Sequence, residues 1–303
     1  MTTIRVGRLL VPDAAPLHRA IQRGYFAREG LEVKVETIQG AALAVPQLKG
    51  ESMDFSMLNY VTAVQAQSQG AADLRVVSDG YQAAPGTFAL MVMNDSDIKG
   101  VADLKGRTLA VPTLKSIATL SSESALIAHG LTQKDVNWRE EALPDMVGLL
   151  QQGKIDAAWM TEPFISLISN AGARQLYDVM TGPMDAFPIA GWGCTEKYAR
   201  EHPDIVAAFQ RAMHAGQLDL AADRKAVVDI IPTYIEKIPP EIAGLISLGT
   251  YPTTLEAKRL QRVADSMHEL GYTEEALDMN DILLPMAPAG GTAPATPPAE
   301  AAQ

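Results

Sequence analysis

LLVPDAAPL (residues 9–17) and LAVPTLKSI (residues 109–117) stand one hundred residues apart and share an outline: an apolar run, Val-Pro, a polar turn, and the start of a helix-compatible stretch. Proline lacks the amide hydrogen a strand needs for its ladder, yet it fits the first turn of a helix. Val-Pro between an apolar run and an Ala- or Ser-led segment therefore reads as a strand-to-helix junction. Two junctions of one design suggest a unit used twice.

The surrounding sequence extends the parallel. A strand over residues 4–11 leads to a helix over about 16–28, where Leu17, Ile21 and Tyr25 recur at helical spacing and Gly30 stops the run. LEVKVETI (31–38) alternates apolar and charged residues as a half-buried strand does, a helix over 41–49 ends at Gly50, and Asp54 opens the short strand FSML. In the second block, RTLAVP (107–112) is a strand, 116–129 a helix closed by Gly130, DVNWREEAL (135–143) a strand, and 145–152 a helix ending at Gly153 before Asp156 opens AAWM. Pro12 to Gly50 spans 38 residues and Pro112 to Gly153 spans 41. Two lobes of βαβαβ plan account for this.

FALMVMND (88–95) and DAFPIAGWG (185–193) are placed to carry the chain from one lobe to the other and back. The expected organisation is thus a first, discontinuous lobe of residues 1–90 and 188–285 and a second lobe of residues 91–187. After Thr195 the pattern is helical, with a start at Pro203-Asp204, an apolar face of Ile205, Phe209 and Met213, and further helices expected over 223–237, 239–247, 254–270 and 273–278. Residues 286–303, rich in Pro, Ala and Gly, have nothing to bury and read as a disordered tail.

Composition removes several classes of function. A net charge of −11 with no basic block argues against nucleic acid as a partner. Cys194 is the single cysteine and the five histidines show no ligand-type spacing, so neither a disulfide, a metal site nor a bound cofactor is expected. No apolar run approaches the roughly 20 residues that cross a bilayer. MTTIRVGRLLV begins as a strand and lacks the parts of a signal peptide.

In an open α/β sheet, ligands bind beyond the carboxyl ends of the strands, where loops feed helix N-termini. The two Val-Pro loops occupy that place, and two lobes would present them to each other across a cleft. Free amides at a helix start can hold an anionic or carbonyl-bearing ligand, and Ser116 is equally well suited to capping its own helix.

RGYFAREGLEVKVE (23–36), GVADLKGRTLAVP (100–112) and MVGLLQQGKIDAAWMTEPF (146–164) resemble the periplasmic binding components of ABC importers for sulfonates, nitrate, taurine and thiamine-pyrimidine precursors. The resemblance covers about residues 4–240. It implies a two-lobed type II periplasmic-binding-protein fold, each lobe a central sheet flanked by helices, with a small-molecule ligand held between lobes that close about a hinge. It also implies an extracytoplasmic location with the export signal absent from this sequence, and an ABC permease and ATPase as partners of a monomer.

Carried over by position, the ligand contacts would come from Pro12 and Asp13, from Asn59, Tyr60 and Thr62, from Lys115 and Ser116, and from Glu162, which also suits a helix cap. Thr113-Leu114-Lys115-Ser116 departs from the small-residue turn usual in the family and puts an oxyanion turn there in doubt. Tyr81, Trp159 and Trp192, with Tyr60, are the aromatic candidates for stacking on a flat ligand. Asp13 and Glu162, in a pocket with few arginines, favour a heteroaromatic or an amine-bearing carboxylate over a bare sulfonate or nitrate. Cytoplasmic enzymes of the same fold, acting on small heteroaromatic or sulfur compounds, and ligand sensors are the alternatives. For an enzyme, Cys194 with His202 eight residues on is the one nucleophile to weigh.

Overall fold

The computed structural model describes residues 1–235 and 238–288. Strands β1 (Thr2–Arg8), β2 (Leu31–Thr37), β3 (Phe55–Asn59) and β4 (Leu74–Gln82) begin one sheet. Strands β5 (Phe88–Met93), β6 (Thr108–Val111), β7 (Asn137–Glu140), β8 (Ala157–Thr161) and β9 (Ala173–Asp178) make a second, and β10 (Pro188–Thr195) returns to the first. The orders are β2-β1-β3-β10-β4 and β7-β6-β8-β5-β9.

The sheets are built on one plan. β1 is parallel to β2 and β3, with Val6 opposite Val35 and Phe55, as β6 is parallel to β7 and β8, with Leu109 opposite Trp138 and Ala157. The fourth strand of each sheet is antiparallel and follows a crossing: β10 puts Trp192 opposite Met57, and β5 puts Leu90 opposite Trp159. Burial matches strand rank. β3 and β8, central in their sheets, are buried throughout, whereas β2 at an edge buries only the Leu31, Val33, Val35 face of its alternating sequence.

The helices are α1 (Ala15–Gln22), α2 (Tyr25–Arg28), α3 (Ala44–Lys49), α4 (Tyr60–Ser68), α5 (Ile117–Ala128), α6 (Leu143–Gln151), α7 (Phe164–Asn170), α8 (Glu196–Glu201), α9 (Pro203–Ala221), α10 (Arg224–Ile230), α11 (Pro240–Leu245) and α12 (Ala257–Glu269). The single helix expected over 16–28 is two, because Gly24 takes φ 69° and the left-handed backbone breaks the ladder. No helix forms over 273–278; instead Asp278 caps a 3-10 turn over Met279–Asp281. The helix expected over 145–152 begins earlier, at Leu143, since Pro144 fits its first turn.

α9 buttresses the first sheet as its apolar face suggests. The Phe209 ring stacks on Phe55 at 4.0 Å and lies 6.3 Å from Trp192. Its Gly216 lets α1 approach: a β-carbon there would stand 2.4 Å from the Pro16 carbonyl oxygen, too close for any side chain. Arg19 with Asp219 at 3.0 Å and Arg211 with Glu29 at 2.6 Å tie α1 and α2 to the same helix. Residues 286–288 of the expected tail are described, and the Ala287 amide donates to Gln210 at 3.0 Å; the remainder lies outside the described residues.

Candidate ligand-binding site

The carboxyl ends of β1, β3, β6 and β8 point into one cleft between the sheets, and the cleft holds a cavity of about 530 Å³ including its open mouth. The first lobe lines it with Leu9, Val11 and Asp13 after β1, Gln39 to Ala41 after β2, Met57 and Asn59 from β3, and Ile189 and Ala190 from β10. The second lobe contributes Phe88 from β5, Pro112, Thr113 and Ser116 to Ala118, Leu143, and Trp159 and Thr161 from β8. The two Val-Pro loops face each other as equivalent half-sites. In this conformation the lobes touch: a β-carbon on Gly40 would lie 2.6 Å from the Thr113 methyl carbon.

Of the sequence-derived residues, Asp13, Asn59, Ser116 and Trp159 meet at this cavity. The Asn59 side-chain oxygen accepts from the Thr62 amide at 3.0 Å and caps α4, which anchors this side chain at the cavity wall. The Ser116 hydroxyl donates to the Thr113 carbonyl at 2.8 Å and accepts from the Ala118 amide at 3.2 Å, so the first turn of α5 closes on itself. The Trp159 indole N–H donates to Ser121 at 3.0 Å, fixing the ring in the wall beside Phe88, 5.3 Å away.

The others are placed elsewhere. Pro12 is buried behind Asp13, and Thr62 lies in the first turn of α4 outside the lining. Tyr60 donates to the Asp79 carboxylate at 2.7 Å in the first lobe's core, where Arg259 forms an ion pair with Asp79. Tyr81 accepts from the Gly249 amide, and Trp192 packs among the aromatics on α9. Lys115, held at φ 53°, is exposed and borders a separate surface groove with Trp138 and Tyr272. Glu162, 2% exposed, accepts from the Ser166 amide and hydroxyl at 3.1 and 2.9 Å and from the Ser247 amide at 3.0 Å. It caps α7 and ties the second lobe to the C-terminal segment, with no place in the cavity lining.

Lining residues that the sequence reading did not single out are chiefly Met57, Phe88, Gln39, Thr113, Thr161 and Ile189. Phe88 and Ile189 sit on the two crossing strands, whose entry into the sheets beside β8 and β3 brings them to the cleft. A crossing segment is a signal for them, because both lobes' walls must continue through it.

Electrostatically the cleft is sparse. Asp13 is 5% exposed, its Oδ1 is buried without a hydrogen-bond partner, and burial pushes its carboxyl up to about 7. Val11 and Pro12, the two residues before it, are both fixed, the carbonyl of Val11 accepting from the Tyr234 hydroxyl and that of Pro12 from the Tyr251 hydroxyl, each at 3.0 Å. Glu162 is also pushed upward by burial, partly offset by its Ser247 and Ser166 hydrogen bonds. Cys194 is buried on β10 beyond Gly193, which pairs with Ser56, whereas the cleft end of that strand pairs Ala190 with Asn59. Burial pushes its thiol up to about 12, so it stands away from the cleft and is held protonated. Among the described residues no group of three His, Cys, Asp or Glu side chains is arranged to hold a metal ion, and no helix is long and apolar enough to cross a membrane.

Comparison with known proteins agrees with this architecture. The alkanesulfonate-binding protein SsuA from Xanthomonas axonopodis pv. citri shares the fold, with a TM-score of 0.79 at 18% identity over 94% of this chain and 99% of that one. The riboflavin-binding protein RibY of Chloroflexus aurantiacus is 24% identical over 87% of this chain and 74% of its own. The 4-amino-5-hydroxymethyl-2-methylpyrimidine phosphate synthase of Schizosaccharomyces pombe is 21% identical over 74% of this chain and 67% of its own. The family described as NMT1/THI5 like matches residues 11–226, more than half of the sequence, and this chain belongs to it.

Proposed function

We propose that this chain is the substrate-binding component of an ABC importer, which takes a small organic molecule into the cleft between its lobes and closes over it. The observation that carries this reading is the cavity itself, lined by the ends of β1 and β3 from one lobe and of β6 and β8 from the other. A site divided between two bodies joined by two crossings gains its full set of contacts only when they come together, so ligand binding and closure are one event. The closed form is what a membrane permease, driven by its ATPase, would recognise, and the place of such a protein is outside the cytoplasm.

An enzyme of the same family is the second reading, favoured by the synthase relative and by the raised carboxyl of Asp13 in an apolar cleft. Acid–base chemistry needs a second group within reach of the same substrate. Cys194 lies elsewhere, Glu162 is engaged by three donors, and the Ser116 hydroxyl is spent on its own backbone. The arrangement suits holding a molecule better than changing it.

The test is a thermal-shift screen followed by X-ray scattering with any hit. Ligand at 100 times its Kd adds about 2.7 kcal/mol to the folded state, enough for a shift of several degrees. The expected result is such a shift, a reduced radius of gyration, and recovery of the ligand chemically unchanged. A hit recovered as a different compound would overturn the reading in favour of an enzyme.

A further inference from the structure

We propose that the chain carries a second binding site apart from the cleft, in the groove bordered by Lys115, Trp138 and Tyr272, and that this site takes a neutral polyhydroxylated molecule, a saccharide. The groove encloses about 900 Å³ including its open mouth, within the roughly 300–1,000 Å³ usual for small-molecule sites. It shares no lining residue with the cleft cavity. The start of α5 is the partition between the two, giving Ser116 to Ala118 to the cleft and Thr119 to the groove. Both lobes contribute walls: Gln65 and Gln69 of α4 and Tyr272 after α12 from the first, and Lys115, Gln133 and Trp138 from the second.

The first support is an acceptor in need of a donor. Gln65 is 8% exposed, and its Oε1 is buried with no hydrogen-bond partner. Glu123, buried on α5 beside Tyr272, has an Oε2 in the same state. An acceptor taken out of water without a donor is costly, and an occupant of the groove that brings a hydroxyl hydrogen to Gln65 recovers that cost.

The second support is the kind of groups that line the groove. Trp138 and Tyr272 are aromatic, and the Trp138 indole N–H donates to the Gln133 carbonyl at 2.8 Å, which pins its ring there. Gln65, Gln69 and Gln133 each offer both a donor and an acceptor, as a hydroxyl does, so a molecule with several hydroxyls pairs with all three amides. Its C–H faces lie against the apolar bodies of the two rings. An apolar occupant would leave the amides unpaired. An anion would bring further acceptors to a wall already short of donors, with Lys115 as the one charged group among the described lining residues.

The experiment uses the intact chain with maltose, cellobiose and benzoate as probes, each titrated at millimolar concentration by ligand-observed NMR. At least one of the two disaccharides is expected to bind, and benzoate is expected to show no binding that depends on Trp138. Trp138→Ala, confirmed folded by circular dichroism, should weaken disaccharide binding about tenfold through the lost ring contact. Gln65→Leu separates binding from folding, because replacing an unpartnered buried amide should raise the melting temperature while lowering disaccharide affinity several-fold. Asp13→Asn, an alteration confined to the cleft, should leave disaccharide affinity unchanged. Failure of both disaccharides to bind, binding that Trp138→Ala and Gln65→Leu leave intact, or binding lost in Asp13→Asn would each overturn the proposal. Tighter binding of benzoate than of either disaccharide, abolished by Trp138→Ala, would overturn it in favour of an anion site.

Discussion

Asp13 is held where a carboxylate is least comfortable, and the cost has a pH dependence of definite sign. Its carboxyl lies at about 7 in the folded chain and near 4 when unfolded. Between those values the folded state keeps a proton that the unfolded state has released, so stability falls as pH rises through that window and is level on either side. The whole effect is at most about 4 kcal/mol. Tyr81, Tyr234 and Tyr251, which face Asp13, are pushed upward by burial and by its charge and stay neutral throughout. Asp13→Asn is therefore expected to stabilise the unliganded protein more at pH 8 than at pH 5, as urea melts at the two values would read; an equal gain at both would refute the raised carboxyl. At this scale the sequence shows part of the cleft. Asp13, Asn59 and Ser116 are reachable because a strand end followed by a helix start fixes their place, whereas Trp159, Tyr60, Tyr81 and Trp192 are singled out as aromatic residues, whose type says nothing about which side of a strand or helix they occupy, and of the four only Trp159 lines the cavity. Glu162 suits a cap or a ligand contact equally in sequence, and only the position of Ser247 shows what the third hydrogen bond is for.

The loop carrying Asp13 is only as rigid as the elements that grip it, and those come from far along the chain. Tyr234 and Tyr251 donate to consecutive carbonyls, Val11 and Pro12, from a segment beyond the residues the family match covers. Tyr234→Phe and Tyr251→Phe should each cost about 1 kcal/mol of stability, the net worth of a buried hydrogen bond. The double variant is expected to weaken ligand affinity several-fold through loss of loop order, seen as faster hydrogen exchange over residues 9–14; unaltered exchange there would remove the positioning role. Element types are largely legible in the sequence because period and punctuation are local: the alternation of LEVKVETI and the Ser116 cap give β2 and α5 nearly where they stand. The failures are local competition too. Gly24 divides one expected helix, and residues 273–278 are too short a run to sustain one without a packed face.

At the scale of the molecule, closure depends on a glycine. Gly40 and Thr113 meet across the cleft with no room for a side chain, and threonine's branched β-carbon gives it little freedom to retreat. Gly40→Val is expected to hold the lobes apart: ligand affinity drops tenfold or more, the radius of gyration no longer contracts with ligand, and thermal stability of the unliganded chain changes little. Contraction equal to that of the wild type would show that the loops yield. The duplicated plan is visible in the sequence through the 38- and 41-residue intervals, but strand order is not, because FALMVM suits a place in either sheet and its neighbours are decided by partners far away in sequence. That order bears on how the protein is made. β5 to β9 are contiguous, so the second sheet has all its strands once residue 178 has left the ribosome. β3 and β4 never pair with each other, since β10 lies between them, so the nascent first sheet waits with an empty slot for a strand synthesised more than a hundred residues later. Translation thus delivers the lobe encoded second as the first to be finished, and a chain stalled between residues 178 and 188 would expose the two unpaired strand edges on which chaperones act.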